Sequence, residues 1–245
     1  MEGSEAHCWF IGVDGCKAGW FYVASNGQQY YFGVVSNIPE LITQFENIGK
    51  IVIDIPIGLH DKGDMPRACD VMARQKLKPR GSTVFPAPVR PCLYAHDYRE
   101  ACEISHTLTG KKLSQQAFNI LKKIREVDEI LITKPELRAI IKEAHPELGF
   151  CMLNHGYPLL TKKKRSDGIN ERLQLLVRQK TYCEQIYNEA LVEYPRKILA
   201  RDDIVDAMMC LLIAVSPERY QRTLPDTADV DDSGLEMAMQ YILPI

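Results

Sequence analysis

Residues 9–20, WFIGVDGCKAGW, decide the fold. The run Trp9–Asp14 combines aromatic and β-branched residues and is followed by a turn signal, which predicts a buried strand. Asp14 closes that strand, and Gly15 follows it. A carboxylate at the end of a buried strand is costly to leave unpaired, so it needs a metal, a cation or donor groups. The local alternative is an Asp-Gly turn in which the carboxylate accepts from nearby backbone N–H groups. Repetition favours the functional reading. Residues 51–54, IVID, are a second apolar strand ending in an Asp, and Asp203 and Asp206 open an apolar helix near the C-terminal end of the sequence.

The neighbouring sequence supplies the rest of a sheet. Strands are expected at Trp20–Ser25 and Tyr30–Val35, with Asn26-Gly27 between them as a hairpin signal. Leu41, Ile42, Phe45 and Ile48 recur at helical spacing, and Pro39 suits a first turn, so residues 38–48 are expected to be a helix. Residues 50–55 follow as a strand that is apolar on both faces and therefore central. The expected order is β-β-β-α-β, an α/β chain with three antiparallel strands followed by parallel ones and flanked by helices.

Pro56 and Gly58 break the alternation. Residues 59–142 are expected to form a helical insertion or lobe, with helices over 65–77, 97–108, 114–128 and 135–142 and an irregular Pro/Gly-rich stretch over 78–91. A further strand is expected over 143–152, which contains HPELGF, then one helix over 168–190 and another over 202–215. The core domain is thus assigned to 1–58 and 143–216. Residues 217–245 are expected to be a tail packing on that core, with a short capping helix over 235–243.

Composition bounds the function. The 245 residues are 46% hydrophobic, enough for a sizeable core, and the net charge of -2 excludes global basicity. Charge is nevertheless uneven: residues 62–90 carry seven basic and two acidic side chains, whereas residues 217–245 carry six acidic and two basic ones. The eight cysteines form no C-x-x-C pair and no zinc-finger spacing, which suits free thiols in a reducing cytoplasm. The first ten residues lack the pattern of a signal peptide, and the longest apolar run, 207–215, is too short to span a membrane.

Asp203 and Asp206 share a helix face at i, i+3 spacing. In a first turn they also complement the helix dipole, with Asp202 as a cap, which is the purely structural reading. The nearly continuous apolar run after them requires a buried helix, so its acidic end points inward. If the first and fourth strands are neighbours, Asp14, Asp54 and the helix acids converge. Clustered carboxylates raise one another's pKa unless a cation neutralises them, and Mg²⁺ or Mn²⁺ suits oxygen ligands.

The stretches VDGCKAGW, VIDIPIG, RACDVMAR, STVFPAPVR, KIREVD, HPELGF, KKKRSDG followed by Arg172, and DDIVDAM span about residues 11–215. On these motifs the chain resembles domain-of-unknown-function family 429, a family of predicted RNase H-like nucleases. The resemblance implies an RNase H-like mixed sheet and metal binding by Asp14, Asp54, Asp203 and Asp206. The DDIVD turn is also similar to the last-helix acids of Holliday junction resolvases. RNase H enzymes carry a Glu on the first helix. Here that helix offers Glu40 and Glu46, and Glu147 is the candidate replacement, with a surface carboxylate at a strand edge as the plain alternative.

Basic residues and hydroxyls that would contact phosphates are Lys17, Arg74, Ser82, Lys123 and Lys163, each also readable as a solvated charge or salt-bridge partner. His145, held extended by Pro146, is either structural or a proton donor. Cys16 has no companion set for nucleophilic catalysis and is read as a packed side chain. The expected function is a metal-dependent nuclease on DNA or RNA, cytoplasmic, without membrane contact, and with an oligomer left open. The alternatives are a nucleotide-binding phosphoryl-transfer protein of the actin/sugar-kinase type and a non-catalytic binding module.

Overall fold

The computed structural model describes residues 8–63 and 65–244. The reading of the N-terminus rests on residues 1–7, which lie outside them. Strand β1, Trp9–Cys16, runs past Asp14 because Gly15 and Cys16 pair with Trp20 and Gly19 of β2, Gly19–Ser25. β2 pairs antiparallel with β3, Tyr30–Val35, through the Asn26-Gly27 hairpin. On its other edge β1 pairs parallel with β4, Ile48–Ile53, and β4 pairs parallel with β5, Ile141–Glu143. The order β3-β2-β1-β4-β5 is the expected mixed open sheet, three antiparallel strands and then parallel ones.

Side chains alternate across a strand, so the sheet has two faces. Ile11, Val13, Ile51 and Ile53 join a core with Trp20 and Tyr22 on one face. That core is completed by α1, Ile38–Thr43, α3, Tyr98–Thr109, and α4, Gln115–Thr133. Cys16 and Val52 point to the opposite face, which is covered by α6, Ser166–Gln179, α7, Tyr182–Glu193, and α8, Arg201–Val215. By the same parity Gly12, Asp14 and Asp54 belong to the α8 side. α8 is buried along nearly its whole length and rests directly on β1. A Cβ at Gly12 would overlap the Leu211 backbone nitrogen and the Ala207 carbonyl of α8, so only glycine permits this approach.

Several elements differ from expectation for physical reasons. The first helix stops at Thr43, because Asn47 adopts a positive φ of 55° and swings the chain into β4. HPELGF is not a strand. His145 is extended, as a residue before proline should be, but it caps α5, Pro146–Leu153, with Pro146 in the first turn. The strand is Ile141–Glu143, and residues 135–139 form a 3-10 turn rather than a longer helix. The helix expected over 168–190 breaks at the extended Lys180 into α6 and α7. The tail is a hairpin, not a capping helix: β6, Gln221–Val230, pairs with β7, Glu236–Ile242. Pro225 argues against a strand in the sequence. It is tolerated here because the register shifts between Leu224 and Asp229. The hairpin shares a third core with α2, Ala68–Lys76, and α5.

Candidate metal centre

Three backbones bring the acids together. The Asp54 N–H donates to the Val13 carbonyl at 3.0 Å, which extends the β1–β4 ladder by one step and sets Asp54 beside Asp14. α8 crosses above them and lowers Asp206 onto the pair. Carboxylate oxygens of Asp14, Asp54 and Asp206 all lie within 4.8 Å of one another. Asp206 is 1% exposed, and its Oδ1 is buried without a partner. Asp14 Oδ1 accepts from the Gly15 N–H at 2.7 Å, so the local turn exists alongside the convergence.

Burial raises all three carboxyl groups. Asp14 is pushed well above the ordinary carboxylate range by desolvation, then by Asp54 and Asp206. Asp54 is raised by desolvation, against the opposing charges of His145 and Lys163. Asp206 rises to about 7, again chiefly from desolvation. Lys163 offers its ammonium to Asp206 Oδ2 at 2.5 Å and is itself held charged. One ammonium cannot offset burial plus a neighbouring carboxylate, so Asp206 stays high despite its partner. The set suits a hard divalent cation: the donors are carboxylate oxygens, the cluster retains excess negative charge, and one buried oxygen is unpartnered.

The other expected residues fall in different places. Asp203 uses its carboxylate to accept from the Ala200 N–H at 3.0 Å, so Asp203, not Asp202, ties off the start of α8. Desolvation lifts it to about 6, and it stands close enough to raise Asp14. Glu147 is not a strand-edge carboxylate. It is buried on α5, and both its oxygens accept from Arg172 at 2.6 Å. Lys17 is exposed in the β1–β2 turn. The Lys123 ammonium donates to the Gly19 carbonyl and sits 4.4 Å from the Trp20 ring centroid. It also lines a hollow of about 170 Å³ with Asp14, Asp54 and His145. Arg74 and Ser82 lie in a different, larger cavity. Cys16 is packed in the core, as expected.

A second group, Cys69, Asp70 and Glu143, has ligand spacing but already holds its cation. Arg67 reaches Asp70 at 2.6 Å and Glu143 at 2.8 Å, and the Ile57 N–H donates to Glu143 at 2.7 Å. Sequence spacing pairs Arg67 with Asp70 but gives no sign of Glu143, 76 residues away. His145 gains weight from the fold: its Nδ1 lacks a partner beside the acid-lined hollow.

The family model described as "Protein of unknown function (DUF429)" matches residues 12–229, and the chain belongs to this family. No curated protein and no solved structure matches the chain. Among the described residues, no helix is long and apolar enough to cross a membrane.

Proposed function

We propose that this member of the DUF429 family is a metal-dependent nuclease that hydrolyses phosphodiester bonds of DNA or RNA, with Asp14, Asp54 and Asp206 holding Mg²⁺ or Mn²⁺. The observation that carries the reading is the convergence of three buried carboxylates from β1, the end of β4 and α8, one of them with an unpartnered oxygen. The strand order, and acids in these positions, also support the RNase H-like reading of the fold.

When bound, the cation supplies Lewis-acid polarisation of a phosphoryl oxygen and neutralises charge that develops in the transition state. The side chains do the remainder. The Asp203 cap keeps the first turn of α8 in place and with it the Asp206 carboxylate. The Glu147–Arg172 pair ties α5 to α6 behind the site. Lys163 neutralises Asp206 while the cation is away, and an ammonium freed from that bond is placed to meet a substrate phosphate. His145 lines the acid-lined hollow and has an unpartnered Nδ1, which supports a role in exchanging a proton with a phosphate oxygen.

The test is incubation of the purified chain with end-labelled single-stranded and duplex DNA and RNA, with and without Mn²⁺ or Mg²⁺. The expected result is cleavage that requires the cation and is lost in Asp14→Asn and Asp206→Asn. No cleavage of any substrate by the wild type, or equal cleavage by Asp14→Asn, would overturn the proposal.

A further inference from the structure

A second hollow lies apart from the one that holds the acids. A cavity of about 630 Å³ lies between α2, the proline-rich segment 79–89 and the turn that joins α3 to α4. Its lining includes Pro66, Val71 and Pro88 together with the basic Arg74, Lys111 and Lys112. Asp70 is the sole acid among its described lining residues, and Arg67 already holds that carboxylate at 2.6 Å. The described lining residues therefore carry an excess of positive charge. The complementary ligand has a flat apolar body and an anionic edge.

The walls are fixed in place. The Ala87 N–H donates to Asp70 Oδ2 at 3.2 Å, the Arg90 N–H to the His60 carbonyl at 2.9 Å, and the Gly63 N–H to the Leu108 carbonyl at 3.1 Å. Gly81 packs so closely on α2 that a Cβ there would strike the Arg74 carbonyl. Arg67 and Asp70 also line the small hollow that contains Asp14 and Asp54, so one wall serves both spaces.

We infer that this cavity takes one unstacked nucleotide of the substrate, with its base against the prolines of the lining and its phosphate at Arg74 and Lys112. The inference rests on the nuclease reading and narrows its substrate from nucleic acid in general to an unpaired strand. The volume falls within the range of about 300–1,000 Å³ usual for small-ligand pockets. A base that enters such a space must leave its stack, at a cost of a few kcal/mol in a duplex and least in a strand already single.

The experiment is fluorescence anisotropy of the full chain with a labelled single-stranded DNA, in EDTA so that the acid cluster takes no part. The single strand should bind about tenfold or more tighter than its duplex, given the cost of unstacking. Deoxyadenosine monophosphate should displace it where inorganic phosphate at equal concentration does not. Arg74→Ala/Lys112→Ala should weaken binding about tenfold through the lost phosphate contacts, yet bind Mn²⁺ like the wild type. Equal binding of strand and duplex, equal displacement by inorganic phosphate, or an unaffected double variant would overturn the inference. Tight strand binding without Mn²⁺-dependent cleavage counts against the nuclease reading alone. Cleavage without strand preference counts against the pocket alone.

Discussion

Lys163 holds its ammonium 2.5 Å from Asp206 Oδ2, inside a cluster of three carboxylates that share no other ion pair among the described residues. The lysine side chain is about a third exposed, so it can leave, whereas Asp206 cannot. A divalent cation competes with it for the Asp206 charge. Lys163→Met should therefore tighten Mn²⁺ binding at about pH 8 by roughly tenfold, the worth of one charge-assisted hydrogen bond no longer broken. Without metal the same variant should lose about 1 kcal/mol of stability, because Asp206 keeps its burial and loses its partner. Calorimetric titration and thermal melts in EDTA read the two effects. Weaker Mn²⁺ binding in Lys163→Met would show that the lysine supports the ion instead of competing with it.

Asp14→Asn should separate stability from function. Asp14 is raised well above its ordinary range by burial, then by Asp54 and Asp206, so ionising it in the folded chain is unfavourable. Removing that charge should raise the melting temperature in EDTA by about 2–4 °C, the equivalent of about 1 kcal/mol for a domain of this size. The rise in melting temperature on adding Mn²⁺ should disappear. A variant less stable than the wild type in EDTA would mean that the Asp14 carboxyl is favourable where it sits and not a source of repulsion.

The raised carboxyl groups fix the sign of the pH response. Asp206 moves from 3.8 to about 7 and Asp203 from 3.8 to about 6. Their folded-state values exceed their unfolded ones, so the stability they contribute is present at low pH and is lost as pH rises through these values. Metal-free protein should accordingly melt lower at about pH 8 than at about pH 5.5 on account of these groups. Cation binding runs the other way, since protons compete for the same oxygens. Mg²⁺ should bind tighter at about pH 8 than at about pH 6, with proton release measurable by calorimetry in buffers of different ionisation enthalpy. An affinity that is flat across this range would place the ion on other ligands.

The features legible in the sequence are those with a short period. Two apolar runs ending in Asp14 and Asp54 mark two strands, and the parallel β1–β4 register then makes them neighbours with both side chains on one face. Asp206 and Asp203 follow from i, i+3 spacing at the head of an apolar helix. Pairings between distant residues were not legible. Lys163 reads as a phosphate contact because its partner lies 43 residues on. Arg67 and Glu143 are 76 apart, and Arg90 joins Asp128 and Asp231 from three elements. The β6–β7 hairpin was hidden by Pro225, whose local preference yields to the irregular register around it.

Glu147 offers a check on whether burial or chemistry explains an acid near the site. Its two oxygens are taken by Arg172, and that pair is nearly inaccessible, at 6% and 1%. Glu147→Gln should cost about 3–5 kcal/mol, because it leaves a buried guanidinium without its charge partner. The paired replacement Glu147→Leu/Arg172→Met removes both charges and should recover most of that loss while binding Mn²⁺ like the wild type. Recovered folding with absent Mn²⁺ binding would place Glu147 among the ligands.

Gly12 tests the scaffold rather than the acids. It sits two residues before Asp14 on the same face of β1, at the point where α8 lies against the strand. An added Cβ would meet backbone atoms of Ala207 and Leu211, which cannot rotate away as a flexible side chain could. Gly12→Ala should therefore cost about 3 kcal/mol, the upper end of ordinary overpacking. The strain would be relieved by lifting α8, and Asp206 precedes Ala207 directly, so the same displacement pulls Asp206 from Asp14 and Asp54. Mn²⁺ affinity should fall with stability in this variant even though no candidate ligand is altered. Gly33→Ala makes a suitable control, because the atoms nearest its added Cβ belong to the Tyr22 side chain, far from the acids in the sheet order, and it should leave Mn²⁺ affinity unchanged.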